Sequence, residues 1–595
     1  MGDVSTYAVV VCDRGGRRRV QRWLAEHDVP QREVLETTWR HRTVLVVARD
    51  VHRHVAGSRF GIGTAVDYER GALGFGLAGW QQMGTGDLDG LSGEFLEVSW
   101  AGPELTVTRD LFGSIPVLHT GGSGWVAVSD SLLLLRDLRT AMGSTTTVNL
   151  EAATARTRTL AITHQSMSPE TLLDQISSLP AGRSFHVERR GLGLRMRLGG
   201  DSLPVRVARV QDDRAELTRR IAASTVAVVR ALADSPCVVP ELALSGGVDS
   251  RMMLAAVRRA GAQDQVLIES WNRSAANEAD YACAQQLSRW GGFALNSRAG
   301  VDPGDPIRLS EAAIPVFATS HLGLYDRVLP MSGTWYNPRM VKLGGLGAEL
   351  LKGNYGFRSL PQMAQWLSTG MKDASAHAAA RHRAAVAQLA KGLRAIDVDP
   401  DAPDASEWHY AAYRAGQHGA AHSPMHLSAV RTLMQLDVLA LGHRPDRPGT
   451  GVFTRAKGGM LDLLVLLDPD LAQQPYANAG IDLSADDVQQ RLHQLGGPLT
   501  DEEVPSMRIF GKQAAAGGGP HALGGSIARA WGLGEDSGQV VELTQPWVDA
   551  VADRTLRAIH QDLGNLTRNE LKRVNAVGDA GPGPAKRLSA VLLAS

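Results

Sequence analysis

Short apolar runs separated by glycine and aspartate fill the first third of the chain. Runs of this length between turn residues are typical of β-strands, whereas apolar residues three and four positions apart indicate helices. The pattern predicts strands at residues 7–12, 43–47, 95–100, 105–108 and 125–128. It predicts helices at residues 20–27, 132–140 and 169–176. Residues 1–205 are therefore expected to form a mainly β domain that ends near the turn-rich Gly199-Gly200-Asp201.

Strand and helix patterns alternate in the longer second part, residues 210–595. A helical pattern covers residues 213–232, and an apolar strand pattern follows at 237–244. A helix at 249–259, a strand at 265–270 and a helix at 277–289 continue the series. The alternation predicts an α/β domain with a doubly wound parallel sheet, which binds ligands at the carboxyl ends of its strands. Alanine-rich stretches at 362–393 and 405–442 are expected to be helical.

Composition narrows the possible partners. Of the 595 residues, 44% are apolar and 21% are charged, and the formal net charge is zero. These values indicate a soluble globular protein of two or three domains without a broad nucleic-acid-binding surface. No apolar run reaches membrane-spanning length, and the N-terminus lacks a secretory pattern. Cys12, Cys237 and Cys283 have no paired or metal-like spacing. We therefore expect a cytoplasmic protein that binds neither nucleic acid nor membranes.

The stretch Ser245-Gly-Gly-Val-Asp-Ser250 separates a predicted strand from a predicted helix. A strand, a glycine turn and a helix in this order offer backbone N–H groups to phosphate. Gly246 and Gly247 allow an anion to approach the main chain, and the two serines add hydroxyl donors. Asp249 supplies a carboxylate for Mg²⁺, an ion that favours one or two carboxylates plus phosphate oxygens. The stretch lacks the Gly-Lys-Ser/Thr ending of the Walker pattern.

This SGGxDS pattern resembles the PP-loop of the N-type ATP pyrophosphatases, which split ATP into AMP and pyrophosphate. The resemblance implies an adenine nucleotide alpha hydrolase-like fold for residues 210–595, with ATP and Mg²⁺ as cofactors. Ser270 ends the next predicted strand. Because ligands in such sheets lie beyond the strand ends, adenosine is expected between the PP-loop and Ser270.

A second glycine-rich stretch covers residues 341–355, Val-Lys-Leu-Gly-Gly-Leu-Gly-Ala-Glu-Leu-Leu-Lys-Gly-Asn-Tyr. From Gly345 it resembles the second conserved loop of asparagine synthetases, G-E-G-S-D-E-L-F-G-G-Y. The resemblance implies that Gly344 and Gly345 approach the ribose and phosphates, and that Glu349 replaces the Mg²⁺-binding aspartate. Leu350 replaces the acid that usually follows. Leu346 replaces the glutamate or tyrosine that asparagine and β-lactam synthetases use in catalysis.

Together the two resemblances give a set of expected site residues. The expected metal ligands are Asp249 and Glu349. The expected ATP- and pyrophosphate-binding residues are Leu244, Ser245, Gly246, Gly247, Asp249, Ser250, Ser270, Gly344 and Gly345.

The segment Pro505-Ser-Met-Arg-Ile-Phe-Gly-Lys512 is similar to the segment that carries the catalytic lysine of asparagine and β-lactam synthetases. Lys512 is the matching position, although the arginine lies four residues before it, at Arg508, rather than two. A lysine suits the charge that develops on a phosphate or an oxyanion. The resemblance implies that Lys512 and Glu349 are catalytic; a solvated loop lysine is the alternative for Lys512.

Two further patterns are weaker. Residues 452–455 loosely resemble the R-x-P-F-L-D segment of the family, but the glutamate expected upstream is absent. His418, His422 and His426 share a four-residue spacing that suits one helix face. Pro424 interrupts this pattern and no acid completes a ligand set, so solvated or core histidines are expected.

Short motifs in the N-terminal part resemble the glutaminase domain of asparagine synthetase, an Ntn-type α+β sandwich. They are Leu91-Ser-Gly-Glu-Phe95, Arg109-Asp-Leu-Phe-Gly-Ser-Ile-Pro116, Ser129-Asp130 and Leu179-Pro-Ala-Gly182. That glutaminase uses an N-terminal cysteine whose own amine serves as base, whereas this chain has Gly2. Cys12 ends an apolar strand, where a buried structural thiol is expected. Residues 1–205 are thus predicted to be a glutamine amidotransferase-like domain that releases no ammonia.

These features predict an ATP-dependent carbon–nitrogen ligase that adenylates a carboxylate and lets an amine displace AMP. Because Gly2 removes the ammonia supply, the amine is expected on the substrate itself, which favours ring closure. Lasso peptide cyclases resemble this description in overall length, and they vary the second loop. The resemblance implies a macrolactam synthetase acting on the core peptide of a precursor. Its expected partners are a leader peptidase and a leader-binding protein.

Other classes stay open. One is an ammonia- or glutamine-dependent asparagine synthetase, and another is a β-lactam synthetase-like enzyme. A third is a non-catalytic ATP-binding partner of a biosynthetic complex, which Leu346 and Leu350 favour. A PP-loop tRNA-modifying enzyme is less expected, because the sequence shows no basic patch or zinc-type cysteine pairs.

Overall fold

Two facing β-sheets form most of the N-terminal part. The computed structural model describes residues 7–84, 86–157, 160–191, 193–272, 275–297, 313–328, 339–369, 377–420, 428–443, 458–477, 480, 482–512, 522–533, 545–546, 548–554, 556–558 and 582–593. The strands of the N-terminal part are β1 (Ala8–Cys12), β2 (Val34–Trp39), β3 (Arg42–Val47), β4 (Val55–Ala56), β5 (Arg59–Asp67), β6 (Ala72–Phe75), β7 (Ser92–Ser99), β8 (Glu104–Arg109), β9 (Leu118–Gly122), β10 (Trp125–Ser129), β11 (Ser177–Ser178), β12 (Ser184–Arg190) and β13 (Gly193–Gly199).

The first sheet has the strand order β11-β9-β10-β1-β3-β2, and the second sheet has the order β13-β12-β8-β7-β5-β6, with β4 also paired to β5. Neighbouring strands in both orders are antiparallel. Val9 and Val11 of β1 share a core with Ile62 and Leu96 of the second sheet. Val10 faces the opposite side, towards helices. Because β1 is covered on both faces, its sequence is apolar throughout rather than alternating.

Helices cover the outer faces of both sheets. Helices α1 (Arg14–Glu26) and α3 (Leu132–Ala141) pack against the first sheet. Helix α2 (Gly76–Met83) packs against the second sheet, where the ring of Trp80 meets Phe95 with 5.5 Å between centroids. Helix α4 (Leu150–Arg156) follows. The strands predicted in this part are confirmed, and so are the helices predicted at residues 20–27 and 132–140.

The helix predicted at residues 169–176 is wrong. This segment is a turn with isolated bridges from Glu170 to Ser177 and from Val148 to Leu173. The Thr171 hydroxyl donates to the carbonyl oxygen of Ile176 at 2.8 Å and accepts from the N–H of Leu173 at 3.1 Å. A threonine hydroxyl that takes local backbone groups in this way competes with helical hydrogen bonds.

A parallel sheet forms the centre of the second part. Its strands, in chain order, are β14 (Val239–Ala243), β15 (Leu267–Glu269), β16 (Met340–Leu343) and β17 (Ser428–Val430). The spatial order is β15-β14-β16-β17, and each neighbouring pair is parallel. The strands predicted at 237–244 and 265–270 are confirmed as β14 and β15. The expectation of an all-helical segment at 405–442 is wrong at β17, whose three residues carry too short a pattern to predict a strand.

Helices connect and surround the parallel sheet. The long helix that precedes β14 begins with a capping box, in which Asp213 accepts from the N–H of Glu216 at 2.9 Å. The helices are α5 (Leu203–Val207), α6 (Arg214–Asp234), α7 (Val248–Arg259), α8 (Glu278–Gly291), α9 (Ala313–Ser320), α10 (Ala348–Lys352), α11 (Leu360–Thr369), α12 (Ala378–Ala395), α13 (Ala405–Tyr410), α14 (Gly416–Ala420), α15 (Leu436–Gly442), α16 (Gly458–Leu467), α17 (Pro469–Ala472), α18 (Ala485–Gln494), α19 (Ala522–Ala530) and α20 (Pro582–Leu588).

The chain returns to the N-terminal sheets after the parallel sheet is complete. Strand β18 (Arg508–Phe510) pairs in parallel with β6 and extends the second sheet. Leu523 of α19 and Leu588 of α20 lie in the core under α3. A buried ion pair between Arg431, just after β17, and Glu94 of β7 also joins the two parts. Residues 1–205 and 210–595 thus share cores. Among the described residues, no helix is long and apolar enough to cross a membrane.

Candidate functional site

The predicted PP-loop lies at the carboxyl end of β14, a strand with a neighbour on each side, and leads into α7. The loop is tied to the first turn of that helix. The N–H of Ser245 donates to the Ser250 hydroxyl at 3.0 Å, and the two hydroxyls are also 3.0 Å apart. The N–H of Gly247 reaches the Ser245 hydroxyl at 3.3 Å. Gly247 holds the N-cap position and offers no side-chain acceptor, so the first turn of α7 has no side-chain cap.

A carboxylate from α8 contacts this loop. The N–H of Gly246 donates to Oδ1 of Asp280 at 3.0 Å. A Cβ on Gly246 would lie 2.4 Å from the Cβ of Ala477 and 2.8 Å from the same Asp280 oxygen, so only glycine fits. Sequence reasoning missed Asp280, because no local pattern connects a first-turn helical acid with a loop 34 positions earlier.

The second glycine-rich loop packs directly on the first. It connects β16 to α10, and a Cβ on Gly345 would lie 2.2 Å from the carbonyl oxygen of Asp249. Gly347 has φ of 104° and packs against Leu433. A Cβ on Gly344, by contrast, would meet nothing closer than 3.9 Å. The structure therefore brings the two predicted loops together and leaves space beside Gly344.

Two carboxylates and a lysine meet where the loops touch. Nζ of Lys352 lies 2.8 Å from Oδ2 of Asp249, and both side chains are partly exposed. Glu349 accepts from the N–H of Gly347 at 3.1 Å. Burial, and then the negative charge of Asp249, raise the pKa of Glu349 above its ordinary value. Sequence reasoning did not assign Lys352; its signal was a rare lysine three residues after Glu349 in an arginine-rich chain.

The fit to Mg²⁺ depends on these carboxylates. The described residues contain no group of three or more histidine, cysteine or acidic side chains that could hold a metal ion. Asp249 and Glu349 are close enough for the charge of one to raise the pKa of the other. Two carboxylates with phosphate oxygens as further ligands are a set that Mg²⁺ accepts. The residues therefore fit Mg²⁺ that arrives with a nucleotide.

Leu244 and Ser270 directly follow the carboxyl ends of the neighbouring strands β14 and β15. The N–H of Leu244 donates to the carbonyl oxygen of Glu269 at 2.7 Å, which links β14 to β15 at this edge. The N–H of Ser270 donates to Oδ1 of Asn296 at 2.8 Å, and Ser270 is buried. Both predicted residues thus lie at the carboxyl edge that carries the PP-loop.

Lys512 follows a strand of a different sheet from the one that carries the two loops. It is exposed and follows β18, which pairs with β6 of the second sheet. Gly511, with φ of 75°, packs against the carbonyl oxygen of Phe75 and fixes the chain just before the lysine. Residues 513–521, residues 452–455, His422 and His426 lie outside the described part of the chain. His418 is described, and its ring bonds to the hydroxyl of Tyr325.

One of the glutaminase-like motifs, Ser129-Asp130, contacts Tyr7. The N–H of Tyr7 donates to Asp130 at 3.1 Å, and the Ser129 hydroxyl donates to the Tyr7 carbonyl oxygen at 2.6 Å. Cys12 is fully buried, and burial raises the pKa of its thiol to about 12. A thiol that remains protonated and enclosed is a poor nucleophile. Cys12 therefore has the properties of a core residue.

No protein-family model matches the chain, and no significant match to it is found among curated proteins. The two packed loops and the charges between them are thus the strongest indication of function.

Proposed function

We propose that this protein is an ATP-dependent carbon–nitrogen ligase that adenylates a carboxylate and releases AMP and pyrophosphate. The observation that carries the proposal is the contact of Gly345 with Asp249, which joins the SGGVDS loop and the second glycine-rich loop at one sheet edge. Parallel α/β sheets bind ligands at this edge. The first turn of α7 has no side-chain cap, and the hydroxyls of Ser245 and Ser250 lie beside it. Both features support binding of a polyphosphate at this helix start.

The proposed reaction has two steps. A carboxylate oxygen of the substrate attacks the α-phosphorus of ATP, the bond to the bridging oxygen breaks, and pyrophosphate leaves. An amine nitrogen then attacks the acyl carbon, the bond to AMP breaks, and the nitrogen loses a proton. Activation is needed because a carboxylate carbon is a poor electrophile. The protein contributes mainly position and charge stabilisation.

The predicted phosphate-binding loop, the two carboxylates and Lys512 have separate roles in this scheme. The N–H groups in the first turn of α7 and the hydroxyls of Ser245 and Ser250 would hold the departing pyrophosphate. Asp249 and Glu349 would hold Mg²⁺, which when bound neutralises charge on the phosphates. Lys512 is proposed to stabilise charge that develops at the reacting centre.

The substrate is proposed to carry both reacting groups. The buried, protonated Cys12 supports an N-terminal part that does not use this thiol to release ammonia. A peptide whose N-terminal amine meets its own Asp or Glu side chain would satisfy the reaction, as in a lasso peptide macrolactam cyclase. The proposed partners are a leader peptidase and a leader-binding protein that deliver the core peptide.

Product analysis tests the proposal. Purified protein is incubated with ATP, Mg²⁺ and a candidate core peptide, and in parallel with aspartate and ammonium. We expect AMP and pyrophosphate that form only with the peptide, together with a peptide lighter by one water. AMP formation with aspartate and ammonium would instead indicate an asparagine synthetase. ADP as product would contradict a ligase of this class.

A second candidate is a non-catalytic ATP-binding partner. The specific observation in its favour is that Lys512 is carried by the second sheet, whereas the two loops belong to the parallel sheet. In this case ATP would bind, but Lys512→Ala would leave the rate of amide formation by the complete pathway unchanged. A loss of amide formation with ATP binding retained would support the ligase.

A further inference from the structure

A negatively charged and a positively charged side chain of the protein contact the loops. A nucleotide and its metal ion would bring the same two kinds of charge. The Asp280 carboxylate accepts the N–H of Gly246 at 3.0 Å, a position suited to a phosphate oxygen. The Lys352 ammonium lies 2.8 Å from Asp249, a position suited to a cation. The carboxylate and the ammonium carry opposite charges, and both contact residues of the same six-residue loop. They indicate that the loop is built for a ligand that carries both charges.

The ion pair of Lys352 and Asp249 has the properties of an exchangeable contact. The two side chains are 26% and 34% exposed, and ion pairs at such positions contribute little to folding because water screens them. Lys352 is the last residue of α10, three positions after Glu349, so both project from one side of this short helix. A lysine side chain is long and flexible, and its ammonium can change partners without backbone movement.

The negative charges at the loops need such a cation. Asp249, Glu349 and Asp280 all lie at or beside the position where a polyphosphate would bind. Carboxylates repel a triphosphate unless cations offset them. Leu350 stands where the second loop of asparagine synthetases has an acidic residue, and Lys352 places a positive charge two residues later. The net effect is a site with fewer negative and more positive charges than the resemblance implies.

We propose that Lys352 binds the β- or γ-phosphate of the nucleotide. On nucleotide binding, its ammonium exchanges one anionic partner, Asp249, for another, a phosphate oxygen. The inference rests on the proposed function, because it names a phosphate ligand within the same site. It assigns Lys352 to binding of the pyrophosphate part of ATP and predicts no contact with the adenosine or the α-phosphate.

The test compares Lys352→Met and Lys352→Arg with a matched control. Lys391→Met removes another partly exposed lysine, whose Nζ lies 2.9 Å from both Glu151 and Glu170 on the N-terminal part. Equilibrium binding of ATP, pyrophosphate and AMP is measured by calorimetry at fixed Mg²⁺, without peptide. Far-ultraviolet circular dichroism verifies that each variant is folded.

We expect Lys352→Met to weaken binding of ATP and of pyrophosphate about tenfold or more, because one charged hydrogen bond is lost. AMP, which lacks the β- and γ-phosphates, should bind equally well to the variant and to wild type. Lys352→Arg should retain most of the ATP affinity, and Lys391→Met should retain all of it.

Two outcomes would overturn the inference in different ways. If Lys352→Met binds ATP and pyrophosphate as tightly as wild type, Lys352 is not a phosphate ligand, and the ligase proposal still stands. An equal loss of affinity for AMP and ATP would assign Lys352 to loop structure and would likewise reject its phosphate role. If wild type itself binds neither ATP nor pyrophosphate, the proposed function fails and this inference fails with it.

Discussion

Gly345 touches the backbone of Asp249: a Cβ on Gly345 would lie 2.2 Å from the carbonyl oxygen and 2.5 Å from the carbonyl carbon. Backbone atoms at this distance cannot move aside as a flexible side chain can. The contact joins a loop at the end of β14 to a loop at the end of β16, two adjacent parallel strands. It therefore fixes the distance between Asp249 and Glu349, on which the proposed metal site depends.

Replacing this glycine should separate the loops. We expect Gly345→Ala to destabilise the protein by about 2 kcal/mol, since one loop must shift to admit the methyl group. Gly344→Ala is the control, because its Cβ would meet nothing closer than 3.9 Å. Thermal unfolding should show a lower Tm for Gly345→Ala and an unchanged Tm for Gly344→Ala. Equal Tm values for the two variants would contradict the described loop contact.

The Asp280 carboxylate should oppose nucleotide binding. Asp280→Asn keeps an oxygen that can accept from the N–H of Gly246 but removes the negative charge next to the proposed phosphate site. We expect ATP to bind about two- to fivefold more tightly to this variant at low salt, and the gain to shrink as salt increases. Glu278→Gln, on an exposed residue of the same helical turn, should change affinity less. Weaker ATP binding by Asp280→Asn would instead assign Asp280 to binding of a metal ion.

Arg251 should be required for stability. It is fully buried, donates to the carbonyl oxygens of Gln474 at 2.5 Å and Pro475 at 2.7 Å, and stacks on Tyr476. This fixes the segment whose Ala477 packs on Gly246. Because a lysine cannot make the same forked contacts, we expect Arg251→Lys to lower the free energy of unfolding by about 2–4 kcal/mol.

Denaturant unfolding measures this loss. Arg259→Lys is the control, since Arg259 lies on the same helix but is partly exposed and pairs with Asp501 at 3.0 Å. It should change stability by less than about 1 kcal/mol. A stable Arg251→Lys variant would show that the buried guanidinium is dispensable for this part of the fold.

Glu349 should make stability depend on pH. Its pKa is raised in the folded protein by burial and by Asp249, so the native state binds its proton more tightly than the unfolded chain does. Stability linked to this group is therefore present at low pH and is lost as pH rises above the unfolded value of about 4.3. Glu349→Gln removes this loss. We expect its Tm to match wild type near pH 4 and to exceed wild type at pH 7.

Nucleotide binding should respond to the same substitution in the opposite direction. In the proposed metal site a deprotonated Glu349 would hold Mg²⁺, so Glu349→Gln should weaken binding of ATP in the presence of Mg²⁺ at pH 7. A variant that is less stable than wild type at pH 7, or one that binds ATP with Mg²⁺ normally, would contradict the role given to this carboxylate.

Local patterns predicted the frame of the site well. The pattern predicts the strand β14, the glycine turn and the helix α7 correctly. Apolar periodicity and turn residues determine local structure within a few positions of the chain. The helix expected at 169–176 failed because the Thr171 hydroxyl takes the backbone groups that a helix would use. Strand β17 was missed because three residues exist as a strand only through pairing with β16.

The charges of the site could not be predicted in the same way. Lys352 and Asp249 are 103 positions apart, and Asp280 and Gly246 are 34 positions apart. Such pairs form only when the sheet aligns the ends of different strands, and no local period encodes them. Similarly, the sequence of residues 508–512 does not indicate that β18 would join the sheet of the other part. Contacts of this kind depend on the tertiary fold.

The most direct test is to follow the phosphorus atoms of ATP by ³¹P nuclear magnetic resonance in reactions of wild type and Asp249→Asn with a candidate core peptide. We expect wild type to convert ATP to AMP and pyrophosphate as the cyclised peptide accumulates, and Asp249→Asn to do neither at a comparable rate. Formation of ADP and inorganic phosphate, or amide formation by Asp249→Asn at the wild-type rate, would contradict cleavage of ATP between its α- and β-phosphorus atoms at this loop.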